Sequence, residues 1–290
     1  MKFIETLLNG LSIGSTYAVI ALGYTKVYGI AKMLNFAHGD VIMVGGYMIF
    51  LSLASVGNPI LGLIAAVVFC VLLGITVEKV AYRPLRGASP LAVLITAIGV
   101  SYLLQSTAQI IFGSAPRMVI VADLGNLRFA GLTIPYYMLI TLGCSVVIMV
   151  ALSLFVKYTK TGRAMIAVSE DRGAAQLMGI NVNAIISITF AIGSGLAAFA
   201  GFFMLMKSPS LTNTLGAMPG IKAFTAAVIG GIGSIPGAMV GGILMGIVEA
   251  ISLTIPAIAP YTDAIEFLVL IIILLVRPSG ILGKVRREKV

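Results

Sequence analysis

Apolar runs long enough to cross a lipid bilayer follow one another along nearly the whole of this chain. A spanning helix needs about 20 predominantly apolar residues. By that measure eight spans are predicted, at roughly 3–24, 38–56, 59–82, 91–112, 136–156, 184–206, 222–251 and 261–276. The chain is 59% hydrophobic and 10% charged over 290 residues, whereas a soluble domain carries about 25% charged residues. No soluble surface can be built from that composition. The runs are continuous rather than alternating, which excludes a transmembrane β-barrel. The fold class is all-α: a polytopic helical membrane protein formed as a single transmembrane domain over residues 1–290.

The net charge of +9 invites a nucleic-acid reading, but the basic residues are scattered over inter-span loops and a short tail. Such an excess marks cytoplasmic loops, so no nucleic-acid partner is expected. Lys26, Lys32, Lys79, Arg83, Arg86, Lys157, Lys160, Arg163, Arg172, Arg277, Lys284, Arg286, Arg287 and Lys289 all follow alternate spans. The positive-inside rule then places the N-terminus outside and the C-terminus in the cytoplasm. Eight full crossings cannot do that. The parity is restored if the seventh segment, too long and too glycine-rich for one helix, is broken into halves that share a face or count separately. Cys70 and Cys144 lie inside apolar runs, which argues against a disulfide framework. The apolar N-terminal run lacks a small-residue cleavage site and reads as a retained first helix.

Two breaks are predicted, near residues 35–40 and 229–237. The first, Asn35-Phe36-Ala37-His38-Gly39-Asp40, sets three polar side chains, the only histidine among them, between two apolar spans. It reads either as an interfacial turn with Asn35 or Asp40 capping a helix, or as a broken helix lining a translocation path. The second holds five glycines and Pro236 between residues 229 and 241, too many for an unbroken helix. It has no Lys and no phosphate-loop spacing, so it is not a nucleotide site; Gly230, Gly231, Gly233, Ser234 and Pro236 are candidates to line the path with Asn35, His38 and Asp40. Little other fixed charge is expected within the membrane. Arg83-Pro84-Leu85-Arg86 reads as a positive-inside anchor.

The stretch 160–182 is the one markedly polar segment within the chain and reads as a short helix on the membrane surface. Glu170 and Asp171 suit the N-terminus of its second half. Ile166, Ala174, Leu177, Met178 and Ile180 fall on one side of it, with Gly162 and Gly179 at its ends.

Taken in order and spacing, Leu34-Asn35-Phe36-Ala37-His38-Gly39-Asp40, Arg83-Pro84-Leu85-Arg86, Gly162-Arg163-Ala164, Glu170-Asp171 through Gly179-Ile180-Asn181-Val182, and Gly230-Gly231-Ile232-Gly233-Ser234-Ile235-Pro236-Gly237 resemble the permease subunits of branched-chain amino acid ABC importers, the LivH type. The likeness runs from Asn9 to Gly283. It implies a multi-pass protein of the bacterial inner membrane with no catalytic, metal or cofactor site of its own. ATP would be bound and hydrolysed by two separate cytoplasmic ATPases, beside a second homologous permease and an extracytoplasmic binding protein. It also implies hydrophobic amino acids as cargo, although relatives carry urea or short amides, and membrane lipid as surroundings. The segment 160–182 would be the coupling contact with the ATPase, through Arg163, Glu170, Asp171, Ala174, Met178, Gly179 and Ile180.

Other classes fit worse. An aspartyl intramembrane protease needs Gly-x-Gly-Asp, where this chain has Ala37-His38-Gly39-Asp40; a zinc protease needs a second histidine. A water channel would show two Asn-Pro-Ala boxes, and only Asn58-Pro59-Ile60 approaches one. An ion-coupled carrier needs more intramembrane charge than the sequence displays.

Overall fold

The protein is described from a computed structural model covering residues 2–122, 125–129 and 132–283. Eleven α-helices follow in order: α1 Lys2–Ala31, α2 His38–Val56, α3 Pro59–Val77, α4 Pro90–Phe112, α5 Tyr136–Tyr158, α6 Lys160–Glu170, α7 Arg172–Leu177, α8 Val182–Lys207, α9 Ala217–Gly230, α10 Ile235–Thr254 and α11 Thr262–Val276. Four short strands complete it: β1 Arg117–Met118, β2 Asn126–Phe129, β3 Leu132–Pro135 and β4 Ser210–Leu211. β1 pairs with β4, and β2 with β3, both antiparallel. Among the described residues eight helical segments are long and apolar enough to span a membrane, as the sequence requires. Lys284, Arg286, Arg287 and Lys289 lie outside the described residues.

Local chemistry sets the helix ends. α2 stops at Gly57, whose φ of 69° few side chains tolerate. Asn58 then caps α3, its Oδ1 accepting from Ile60 N at 2.9 Å, with Pro59 in the first turn. Ser89 and Pro90 repeat the arrangement at α4. The outer faces remain apolar: Ile60, Val68, Leu72, Ile110 and Leu275 are exposed. In water such a surface would aggregate; in lipid it is the solvated one.

Helix α1 is the core of the bundle. Residues Ala18 to Leu22 have no exposed surface, and the helix packs against α5, α8, α9 and α10. Its crossing with α10 brings backbone onto backbone. A Cβ on Gly246 would sit 2.1 Å from Gly14 N, and one on Gly242 2.4 Å from Ala18 N. Close helix approach of this kind replaces the hydrophobic drive that lipid abolishes.

The predicted seventh span is two helices. α9 and α10 form an antiparallel pair, with Gly241 lying on the carbonyl of Ala226 and Gly237 on that of Gly230. α9 has 14 residues, about 21 Å, short of the roughly 30 Å hydrocarbon. It counts as a separate, abbreviated pass. Thr6 Oγ1 lies 3.2 Å from Thr254 Oγ1 at one end of the bundle. At the other end, Ile281 N–H donates to Ile229 O at 2.8 Å and Leu282 N–H to Gly230 O at 3.0 Å. The described chain therefore begins and finishes at opposite ends of the bundle.

Candidate translocation core and coupling surface

The first break begins where α1 ends. Lys32 has a φ of 55°, a left-handed turn that takes the chain out of the helix. It then folds back, so that the His38 ring meets Gly23 and packs edge-on to Tyr24 with centroids 4.7 Å apart. Gly23 is eight residues before Ala31, so α2 starts about 12 Å inside the end of α1. Neither Asn35 nor Asp40 provides a side-chain cap for α2, whose N-cap Ala37 has none. That alternative is set aside, because both side chains are bonded elsewhere. Tyr82 Oη donates to Asn35 Oδ1 at 2.8 Å, and Gln105 Nε2 to Asp40 Oδ1 at 2.8 Å. Asn35, His38 and Asp40 are all buried, and His38 Nε2 has no hydrogen-bond partner.

The second break is the α9–α10 turn. Gly231 and Gly233 adopt φ of 102° and 100°, where a side chain is strained, and a Cβ on Gly231 would also lie 2.4 Å from Gly283 N. Ser234 caps α10 by accepting from Gly237 N at 3.1 Å, and Pro236 occupies the first turn, where its missing N–H costs nothing. Gly230 and Gly231 are buried; Gly233 and Pro236 reach the surface, and Ser234 is half-buried.

Both breaks border the final third of α1. His38 lies against Gly23, and a Cβ on Gly29 would touch Gly233 Cα at 3.5 Å. α9 spans the distance between them: Gly39 rests on Gly216 and Gly220 at its start, and the Gly231 turn is at its end. The side chains of the first break are nevertheless sealed inside this subunit.

The expectation of little intramembrane charge is corrected by a cluster around buried Lys222 and Glu266, in which Glu249 is partly buried and Asp263 reaches the surface. Lys222 Nζ on α9 lies 2.8 Å from Asp263 Oδ1, 3.2 Å from Glu266 Oε2 and 3.6 Å from Glu249 Oε2. Tyr17 Oη of α1 donates to Glu249 Oε2 at 2.6 Å. Glu266 is wholly buried. The signal in the sequence is four charges within apolar runs, one on α9, one on α10 and two on α11, but only the tertiary fold brings them together. Arg86, expected as a membrane anchor, instead pairs with buried Glu78 and donates to Asn183 Oδ1.

The polar segment is two helices rather than one. Thr159 caps α6, its Oγ1 accepting from Gly162 N at 2.9 Å, and Gly162 packs directly on the backbone of Phe155 and Val156. Asp171 ends α6 and caps α7, accepting from Ala174 N at 3.0 Å. Gly179, at φ 80°, ends the segment, and Asn181 caps α8. Met165, Val168 and Ala175 face inward. Leu177 and Met178 are 91% and 82% exposed, beside exposed Arg163, Glu170, Asp171, Ala174 and Gly179, whereas Ile180 is half-buried against the inner cluster.

Arg172, not singled out as a site residue by its sequence context, ties this surface to the core. Its Nη2 donates to Ile30 O at 3.3 Å and to Ala31 O. These are among the last carbonyls of α1, which have no partner within the helix. The segment that presents Leu177 and Met178 is thus hydrogen-bonded to the helix end from which the first break departs.

A family model described as the permease component of branched-chain amino acid transport systems matches residues 6–274. The chain is 42% identical to the high-affinity branched-chain amino acid permease BraD of Pseudomonas aeruginosa, covering 99% of this chain and 98% of that one. It is 42% identical to LivH of Escherichia coli K12, covering 100% and 98%. Similarity extends to the ribose import permease RbsC of Haemophilus influenzae, 29% identical over 84% of this chain and 76% of that protein.

Proposed function

The chain belongs to the permease-component family of branched-chain amino acid transport systems, and from that premise we propose that it forms half of a pathway carrying branched-chain and other hydrophobic amino acids across the bacterial inner membrane. A second homologous permease completes the pathway, two cytoplasmic ATPases drive it, and an extracytoplasmic binding protein delivers the cargo. The high-affinity branched-chain relatives, alike over almost their full length, support the amino-acid reading over urea, amides or the sugar of the more distant ribose permease.

The observation that carries the mechanism is the bond from Arg172 to the end of α1. Lys32, Arg83, Arg86, Arg163, Arg172 and Arg277 lie in the segments joining the helices at this end, which is the cytoplasmic side by the positive-inside rule. An ATPase gripping Leu177 and Met178, with Arg163, Glu170 and Asp171 alongside, would move α6 and α7. Arg172 passes that displacement to Ile30 and Ala31, and the α1–α2 break lies next along the chain. A motor shifts a pore only by favouring one of its states over the other, and this is the element whose state it biases.

The test is the assembled transporter in proteoliposomes, with ATP inside and the loaded binding protein outside. Replacing Gly179 by Leu, or Glu170 by Lys, is expected to abolish leucine uptake while the permease still inserts and purifies at normal yield. Full uptake in both variants would reduce the segment to an ordinary surface helix.

A further inference from the structure

At the same end of the bundle, α3 continues through a π-helical stretch, Glu78–Tyr82, and runs antiparallel to the start of α8. Between them lies a groove of about 430 Å³. Its far end is apolar, lined by Ile75, Ile188 and Ala191. Its near end is cationic and polar, lined by Lys79, Arg83, Asn181 and Asn183. The gradient follows the helix axes. Ile75 to Arg83 is eight residues, about 12 Å, more than the roughly 5–8 Å of one headgroup layer, so the groove reaches from the interface into the hydrocarbon.

Among the described residues the two cations have no counter-ion. No carboxylate among the described residues pairs with Lys79 or Arg83, and both are exposed. The adjacent acid, Glu78, is fully engaged: Arg86 takes Oε1 and Ser187 donates to Oε2. The start of α8 adds to the same potential, since its first N–H groups have no intrahelical acceptor, only Ala184 is met by the Asn181 cap, and the helix dipole is positive there. An anion is wanted at one end of this groove and a hydrocarbon chain at the other.

We propose that the groove between α3 and α8 is a binding site for an anionic phospholipid, with phosphate at Lys79, Arg83 and the α8 N-terminus and acyl chain along Ile75, Ile188 and Ala191. Basic recesses between membrane helices on the cytoplasmic side suit such headgroups. Free phosphate would leave the apolar half unused. An acidic segment of a cytoplasmic partner would not reach into it.

Native mass spectrometry of the full-length protein, released from detergent with phosphatidylglycerol or phosphatidylcholine of identical acyl chains, tests this directly. Phosphatidylglycerol is expected to stay bound and phosphatidylcholine to be lost. The double variant K79Q/R83Q is expected to retain phosphatidylglycerol roughly thirty-fold less, from about 1 kcal/mol per cation at the surface. K79R/R83K restores retention, and K157Q, away from the groove, leaves it unchanged; the K157Q and K79R/R83K proteins also control for folding. I188N is expected to weaken lipid retention although both cations remain in place. Equal retention of both lipids, or unchanged retention in K79Q/R83Q, would overturn the proposal. So would displacement by millimolar inorganic phosphate alone, which would mark a bare anion site, or protection of Lys79 only by an added ATPase.

Discussion

A single guanidinium nitrogen, Nη2 of Arg172, meets two carbonyl oxygens, those of Ile30 and Ala31. Hydrogen bonds from a charged donor contribute about 1.5–3 kcal/mol, so R172A is expected to cut ATP-driven uptake at least tenfold, while the ATPases still co-purify with the permease. R172K recovers part of the rate. Loss of ATPase association in R172A would mean that the residue holds the docking surface together rather than passing motion onward. Lys222 raises a different question, because three carboxylates converge on its single ammonium. Removing the cation from a buried cluster leaves uncompensated charge, at a cost of about 3–5 kcal/mol. K222M is therefore expected to lower the thermal midpoint of the detergent-purified protein markedly, and K222M/E266Q to recover part of the loss. A midpoint unchanged in K222M would show that the carboxylates were already neutral.

At the scale of elements, the α1–α10 crossing depends on four residues without room for a side chain: Gly10, Gly14, Gly242 and Gly246 all face backbone at 2.9 Å or less. G246L must push the helices apart, costing about 1–3 kcal/mol or more. Its expected signature is poor yield and a lowered thermal midpoint, with G99L, at an open position, as the neutral control. The spans were legible in the sequence because lipid imposes one length and one polarity on every helix. The breaks were legible because residues such as Gly231 and Gly233 can adopt backbone angles that others avoid. The division of 160–182 into two helices was not, because it rests on Asp171 acting as a cap, and Asp171 reads equally well as a charge in a first turn. The Arg172 contact and the Lys222 cluster were illegible for a further reason: each joins residues that are distant in the chain, and no local pattern records that meeting. Asn35 shows the same limit, since its partner Tyr82 lies 47 positions away and replaces the expected capping role.

For the whole molecule, counting the abbreviated α9 as a pass leads to the proposal that α1 begins and α11 ends on opposite sides of the membrane. In a C70A/C144A background, S169C is expected to react with a membrane-impermeant maleimide only in inside-out vesicles, and N126C only in right-side-out ones. Labelling of both from one side would refute the topology. In the proposed mechanism a separate cytoplasmic motor moves α1 through the ridge at Leu177 and Met178. The most direct measurement is ATP-driven uptake of radiolabelled leucine by the complete transporter in proteoliposomes, comparing the native chain with L177D/M178D. Uptake that requires ATP and binding protein is expected in the native complex, and none in the variant although it folds and inserts. Leucine uptake at the native rate by L177D/M178D, or by the permease without its ATPases, would contradict it.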